Sequence, residues 1–159
     1  MKIGVSIFLK VVFLILSNFC LAQNDSINWL SFEKLETKFI TEPKKIIIHF
    51  YTDWCIYCKK MEKEVYTKPK VIERVNKNYY AVKFDAESTD TIFFGGKTFK
   101  NLNIDKKRNP NHELAEYLAT QSERGVVLPA TIIFDKNFNI EQKIFSYLSP
   151  KGLIKVLKP

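Results

Sequence analysis

Cysteine is scarce in this chain, with three residues among 159, at positions 20, 55 and 58. A secreted scaffold stapled by disulfides needs more, and the loop closed between Cys55 and Cys58 is too small to restrict the unfolded chain much. That pair is therefore read as reactive. Histidine is scarcer still, with His49 and His112 alone. A closed zinc site takes about four ligands, so no metal is assigned, although two thiols suit Cu(I) or Zn. A long apolar run is missing too: Val11 to Leu16 is uniformly apolar but short and follows Lys10, less than the roughly 20 residues a membrane span takes. A phosphate loop is incomplete. Gly95-Gly96-Lys97-Thr98 has Thr91 where its first glycine belongs, and no helical pattern follows, which excludes the nucleotide reading.

What the first residues do contain is a leader. Met1-Lys2 is a positive start, an apolar stretch follows, and Cys20 and Ala22 place small residues where a signal peptidase reads. This predicts a signal peptide over 1–22, a mature chain of 23–159 and export to the periplasm, with a membrane-anchored form disfavoured. Phe19 and Asn18 argue against lipid attachment at Cys20. Cys55 and Cys58 are then the only cysteines left. The net charge of +8 falls to 23 − 17 = +6 once Lys2 and Lys10 leave. The lysines are scattered among carboxylates, as in Lys59-Lys60-Met61-Glu62-Lys63-Glu64. A solvated basic surface, not a nucleic-acid face, follows.

Taken in order, Ser26 to Trp29 reads as an edge strand. Ser31 caps a helix carrying Phe32, Leu35 and Phe39, which Pro43 ends. Lys45 to Tyr51 is an apolar, β-branched run read as a buried strand. Cys55 opens a helix whose inward face is Cys58, Met61 and Val65, which leaves Cys55 accessible at the tip and Cys58 shielded. Pro69 interrupts it, and Tyr79 to Asp85 is the next strand. Residues 88–122 form an insertion. It holds a hairpin with arms Thr91–Phe94 and Lys97–Leu102 around Gly95-Gly96, then a helix capped by Asn111 with Leu114, Ala115 and Leu118. Ala130 to Phe134 and Asn139 to Phe145 are antiparallel strands, and Ser149-Pro150 opens a last helix. The order β-α-β-α-β, insert, β-β-α gives an α/β domain, a central mixed β-sheet with helices on both faces.

A strand, a short turn, then Cys-x-x-Cys at the start of a helix is the context in which this motif signals redox chemistry. There the first thiol meets the positive end of the helix dipole, which favours its thiolate. Asp53-Trp54-Cys55-Ile56-Tyr57-Cys58-Lys59, Lys83-Phe84-Asp85 and Leu128-Pro129-Ala130-Thr131 together resemble the thioredoxin superfamily over roughly residues 27–158. The active-site segment is similar to that of the carboxy-terminal domain of the exported bacterial reductase that carries electrons across the inner membrane.

The resemblance implies a thioredoxin fold with its hairpin-plus-helix insertion before a cis-proline strand at Pro129. It also implies a peptide site at Trp54, Tyr57, Leu128 and Pro129. Its implied activity is thiol–disulfide exchange, with attack by Cys55 and resolution by Cys58. The disulfide itself is the only redox group, with no other cofactor. The expected partners are protein or peptide disulfides and a membrane thiol electron donor; nothing in the sequence sets an oligomeric state. Two departures stand out. His49 replaces a buried aspartate, with Lys83 matching the usual partner, which makes these two candidates for a proton relay. Ser146 replaces a glycine before Tyr147, narrowing the peptide groove. Ile56-Tyr57 carries no histidine or proline to set direction. The alternatives are an oxidase or isomerase of the same fold, a metal carrier using Cys55 and Cys58 as soft ligands, and a partner-binding protein using the hairpin at 91–103 with Phe93, Phe94 and Phe99.

Overall fold

The computed structural model describes residues 25–106 and 108–158; the leader expected over 1–22 lies outside them. Alternation along one strand decides the architecture. In β2 (Lys45–Tyr51), Ile46, Ile48 and Phe50 turn to one face, and Ile47 and His49 to the other. All five are fully buried, which is why the strand reads as one continuous apolar run. β3 (Tyr79–Asp85) runs parallel beside it, from Lys45 opposite Tyr79 to Tyr51 opposite Asp85. β6 (Ala130–Phe134) is antiparallel on its other side, and β7 (Ile140–Ile144) is antiparallel to β6. With β1 (Trp29–Leu30) at one edge, the sheet order is β1-β3-β2-β6-β7. That edge strand is shorter and later than expected, because only these two residues reach β3.

The helices cover both faces. α1 (Phe32–Thr41) begins where Ser31 Oγ accepts the Lys34 N–H at 3.4 Å. With α4 (Glu113–Ala119) and the hairpin β4 (Ile92–Phe94) and β5 (Lys97–Phe99), it covers the Ile46, Ile48 and Phe50 face. On the opposite face lie α2 (Ile56–Glu64), α3 (Pro69–Asn78) and α5 (Pro150–Val156). They contribute Met61, Val71, Val75 and Leu153 to a second core around Ile47 and Ile133. Proline stands in the first turn of both α3 and α5, where its missing N–H costs nothing. Among the described residues no helix is long and apolar enough to cross a membrane.

The 88–122 segment is built into the α1 face: Leu114, Ala115 and Leu118 are fully buried. Its hairpin is shorter than expected, because the chain leaves it at Lys100 to meet the start of α4. There Lys100 N–H donates to Glu113 Oε2 at 2.8 Å, and Asn101 Nδ2 to the Pro110 carbonyl at 2.9 Å. At the hairpin turn Gly95 and Gly96 have φ +60° and +76°. A Cβ on Gly95 would stand 2.8 Å from Phe138 Cε1. Gly95→Ala is therefore expected to lower stability by about 1–2 kcal/mol from the left-handed backbone alone, read as a lower urea midpoint.

The cap of α4 is His112, not Asn111. Its Nδ1 accepts the Leu114 N–H at 3.1 Å, so Nε2 carries the hydrogen and donates to the Asp90 carbonyl at 2.9 Å. The ring is buried against Phe84, with centroids 5.1 Å apart. A neutral imidazole is required here, and burial holds its pKa below the ordinary 6.5. With the folded pKa depressed, the stabilisation is complete above pH 6.5 and is lost as pH falls through the lower folded value. The melting temperature should drop on acidification below 6.5, and His112→Asn, which can cap but does not titrate there, should make that drop shallower, leaving the part that comes from the buried His49.

Candidate active site

β2 ends at Tyr51, and the chain turns through Thr52, Asp53 and Trp54, with the Cys55 N–H donating to the Thr52 carbonyl at 3.1 Å. Cys55 is itself the N-cap of α2. Its Sγ accepts the Cys58 N–H at 3.2 Å, and its carbonyl accepts the Lys59 N–H at 3.1 Å. The two cysteines are joined as a disulfide, with Cα atoms 5.2 Å apart. One turn of helix thus holds both sulfurs at a site where a backbone donor favours negative charge.

The expected inequality of the thiols is present but small. Cys55 is 5% exposed and Cys58 1%. Cys55 is less open than its place at the helix tip suggests, because its sulfur turns back to bond Cys58 and to cap the helix. Around the pair, Trp54 and Tyr57 are both well exposed, at 60% each. Trp54 is fixed by its Nε1–H donating to Glu87 Oε1 at 2.9 Å. Tyr57 faces Tyr147 at 6.2 Å, and Lys60 Nζ lies 5.1 Å from the Tyr147 ring centre. Tyr51 lies under the Lys83 ammonium, 4.6 Å away, as part of the sheet face. The Leu128–Pro129 peptide bond is cis, directly before β6, where Ala130 pairs with Phe50.

Carboxylates gather beside the turn. Asp85 closes β3 opposite Tyr51, and its side chain accepts the Glu87 N–H at 2.9 Å. Burial raises its pKa above the usual carboxylate range, and Asp53 and Glu87 add to the rise.

His49 is fully buried on the α2 side of the sheet, between Lys83 on β3 and Thr131 on β6. Burial, reinforced by the Lys83 charge, pushes its pKa down to about 3. Lys83 itself is paired outward, its Nζ donating to Glu62 Oε1 at 2.8 Å. His112 contacts Phe84 on the opposite face, so the two histidines are separated by the sheet. Among the described residues no group of three His, Cys, Asp or Glu comes together as a metal site. Glu62, Tyr66 and Glu87 were not among the candidate site residues read from sequence, and Thr131 was noted only as part of the matching Leu128–Thr131 segment. Glu62 and Tyr66 follow Cys58 by four and eight residues, a helical spacing that could have found them.

The arrangement can carry out thiol–disulfide exchange with no group beyond its own disulfide. The chain is 26% identical over 129 residues to the thiol:disulfide interchange protein DsbD of Campylobacter jejuni strain RM1221, a match over 81% of this chain and 18% of that protein. It therefore spans about one-fifth of that relative's length. Among solved structures it is similar to DsbH oxidoreductase, with TM-score 0.57, 18% identity and coverage of 87% of this chain and 86% of the other. It is also similar to a thioredoxin from Thermus thermophilus, with TM-score 0.57, 15% identity and coverage of 83% and 85%. A family model described as a thioredoxin-like domain matches residues 32–159. The chain belongs to the thioredoxin-like domain family.

Proposed function

We propose that this protein is an exported thiol–disulfide oxidoreductase that reduces disulfides in proteins or peptides. The observation that carries this reading is the Cys55–Cys58 disulfide at the N-terminus of α2, with Cys55 Sγ taking the Cys58 N–H. In the reduced protein the Cys55 thiolate attacks one sulfur of a substrate disulfide. A Cys55–substrate disulfide forms, and the other substrate sulfur leaves as thiolate and takes a proton from water. Cys58, as thiolate, then attacks Cys55 Sγ, the second substrate sulfur leaves, and two electrons have passed to the substrate. Trp54 and Tyr57, exposed on either side of Cys55 in the chain, and Leu128 with the cis Pro129 would hold the peptide. A dithiol donor must restore Cys55 and Cys58, and a membrane thiol protein fits that need.

Charge supports the reducing direction. A strong oxidant owes its power to a stabilised reduced form. Here Asp53 immediately precedes Trp54, Glu87 is bonded to Trp54, and Asp85 lies within reach of both carboxylates. These carboxylates act against the pull of the helix N-terminus on the Cys55 thiolate, and the proposed reducing direction requires that they outweigh it. The leader expected over 1–22 from its charge and apolar pattern is the ground for export; cleavage before Gln23 and recovery in the periplasmic fraction would test that part. The activity is tested by insulin reduction with dithiothreitol as donor. Acceleration by the wild type and none by Cys55→Ser is expected; equal rates with and without protein would sink the proposal.

A further inference from the structure

The loop between the hairpin and α4 takes no part in the exchange itself, yet it stands against the turn that carries the site. Its two ends are pinned. Asn101 is buried, and its Nδ2 donates to the Pro110 carbonyl at 2.9 Å and to the Ser88 carbonyl at 3.1 Å. Just beyond Pro110, the His112 N–H donates to the Ala86 carbonyl at 2.7 Å, and the Ala86 N–H donates to the Tyr51 carbonyl at 2.8 Å. The end of β2, the turn after β3 and the exit of the loop therefore lie side by side at the end of the sheet that leads into Cys55. Glu87 of that turn is the residue that fixes Trp54, through the 2.9 Å bond from the indole N–H. Adjacent residues, Glu87 and Ser88, thus hold the exposed Trp54 on one side and the loop on the other.

Between its pinned ends the loop faces water. Leu102 is 61% exposed and Ile104 44%. Lys106 and Arg108 follow, both exposed, and the ion pairs formed among the described residues involve neither. Asp105 is the only acidic residue between Leu102 and Asn109. Exposed aliphatic side chains rimmed by charge mark a contact surface when they adjoin a binding site. Here the surface is joined to Trp54 through a shared turn, so the chain that occupies Trp54 is the one that meets it. The sign of the charge narrows the occupant further. Asp53, Asp85 and Glu87 gather beside Trp54, so an acidic residue next to the substrate cysteine is repelled. Farther out along the same peptide, Lys106 and Arg108 attract it.

We propose that Leu102, Ile104, Lys106 and Arg108 form an outer subsite that selects disulfide-bearing peptides with an aliphatic residue and acidic residues set back from the cysteine. This rests on the reading that Cys55 attacks a peptide disulfide. The aliphatic side chain loses water against Leu102 and Ile104, and the carboxylates pair with the two cations. Surface pairs are individually weak and screened by salt, so the subsite ranks substrates and does not hold them alone. It adds no chemical step, and electrons still pass through Cys55 and Cys58 only.

The test uses short peptides, each dimerised through a terminal cysteine at either end. They carry a leucine with two glutamates or two lysines, beside the cysteine or set back by a glycine-serine spacer. Oxidation of the reduced protein by each peptide is followed by alkylating the remaining free thiols. Every rate is divided by that with hydroxyethyl disulfide, which is too small to touch both Cys55 and the loop. The set-back glutamate peptide should react about tenfold faster than its lysine counterpart at low salt, and the gap should shrink at about 0.5 M salt. Lys106→Ser combined with Arg108→Ser should abolish that preference. Leu102→Ser combined with Ile104→Ser should slow both set-back peptides about fivefold or more. All four positions are exposed, so thermal melts of the variants should match wild type. Equal relative rates for the glutamate and lysine peptides, or a preference that survives Lys106→Ser with Arg108→Ser, would overturn the inference. So would a variant that keeps the preference and loses only sedimentation with phosphatidylglycerol vesicles, which would make the loop a lipid contact. A wild type oxidised by hydroxyethyl disulfide and by no peptide would overturn the proposed substrate class along with the subsite; peptides all reduced without preference would overturn the subsite alone.

Discussion

Cys58→Ser should stop the reaction half-way, and Cys55→Ser should stop it before it begins. With serine at 58, the Cys55 thiolate still forms under the helix N-terminus, since its donor is the backbone N–H of residue 58 and not the side chain. It still attacks, but nothing releases the product, so a stable Cys55–substrate disulfide accumulates. With serine at 55, the remaining thiol is the more deeply buried of the two and lies inside the helix. Insulin reduction by either variant should fall by at least about a thousandfold, which is about 4 kcal/mol of barrier. Only Cys58→Ser should carry a covalent adduct, seen by mass spectrometry as a species that dithiothreitol removes. An adduct on Cys55→Ser instead would reverse the roles of the two cysteines.

The second large effect is structural. Phe84 stands where three parts of the α1 face meet. Its ring lies edge-on to Phe32 of α1 at 5.4 Å, to Phe50 of the central strand at 5.9 Å and to the His112 ring at 5.1 Å. Truncation removes all three contacts and leaves a hole that a sheet residue cannot close by moving. Phe84→Ala should cost about 3–5 kcal/mol, a large fraction of the ~5–15 kcal/mol typical of a domain. Ile40→Ala, at a position 79% exposed, should stay within about 0.5 kcal/mol. Urea midpoints of the two variants against wild type measure both. A Phe84→Ala midpoint close to that of Ile40→Ala would mean that the insert is not anchored through this ring.

The parts of the fold legible in the sequence were those whose causes are local. β2 and β3 begin and end where their apolar runs do, at Lys45–Tyr51 and Tyr79–Asp85. Ser31, Ser149 and Pro150 act through their own backbone neighbours, while Pro69, read as an interruption, opens the separate helix α3. What was not legible depends on partners distant in the chain. β1 is defined by what reaches β3, so its two residues fall later than the apolar pattern suggests. The cap of α4 passed from Asn111 to His112 because the imidazole can bond the Asp90 carbonyl 22 residues earlier, a contact that no local preference records. At the site, the cysteine pair at a helix start and the strand positions of His49 and Lys83 were readable from the sequence pattern, whereas the peptide rim came from the resemblance alone. The neighbours of His49 were not, because strand register brings Thr131 and Lys83 beside it and α2 brings Tyr66 over it.

The central claim is that Cys55 and Cys58 form a reducing couple, and its most direct test is their reduction potential. The protein is equilibrated in dithiothreitol or glutathione buffers, quenched, and the free thiols of Cys55 and Cys58 alkylated and counted. The carboxylates beside Trp54 and the proposed role predict a value near about −270 mV, where thioredoxin sits. A value near about −120 mV, the range of strong oxidants, would contradict it and make the protein a disulfide donor.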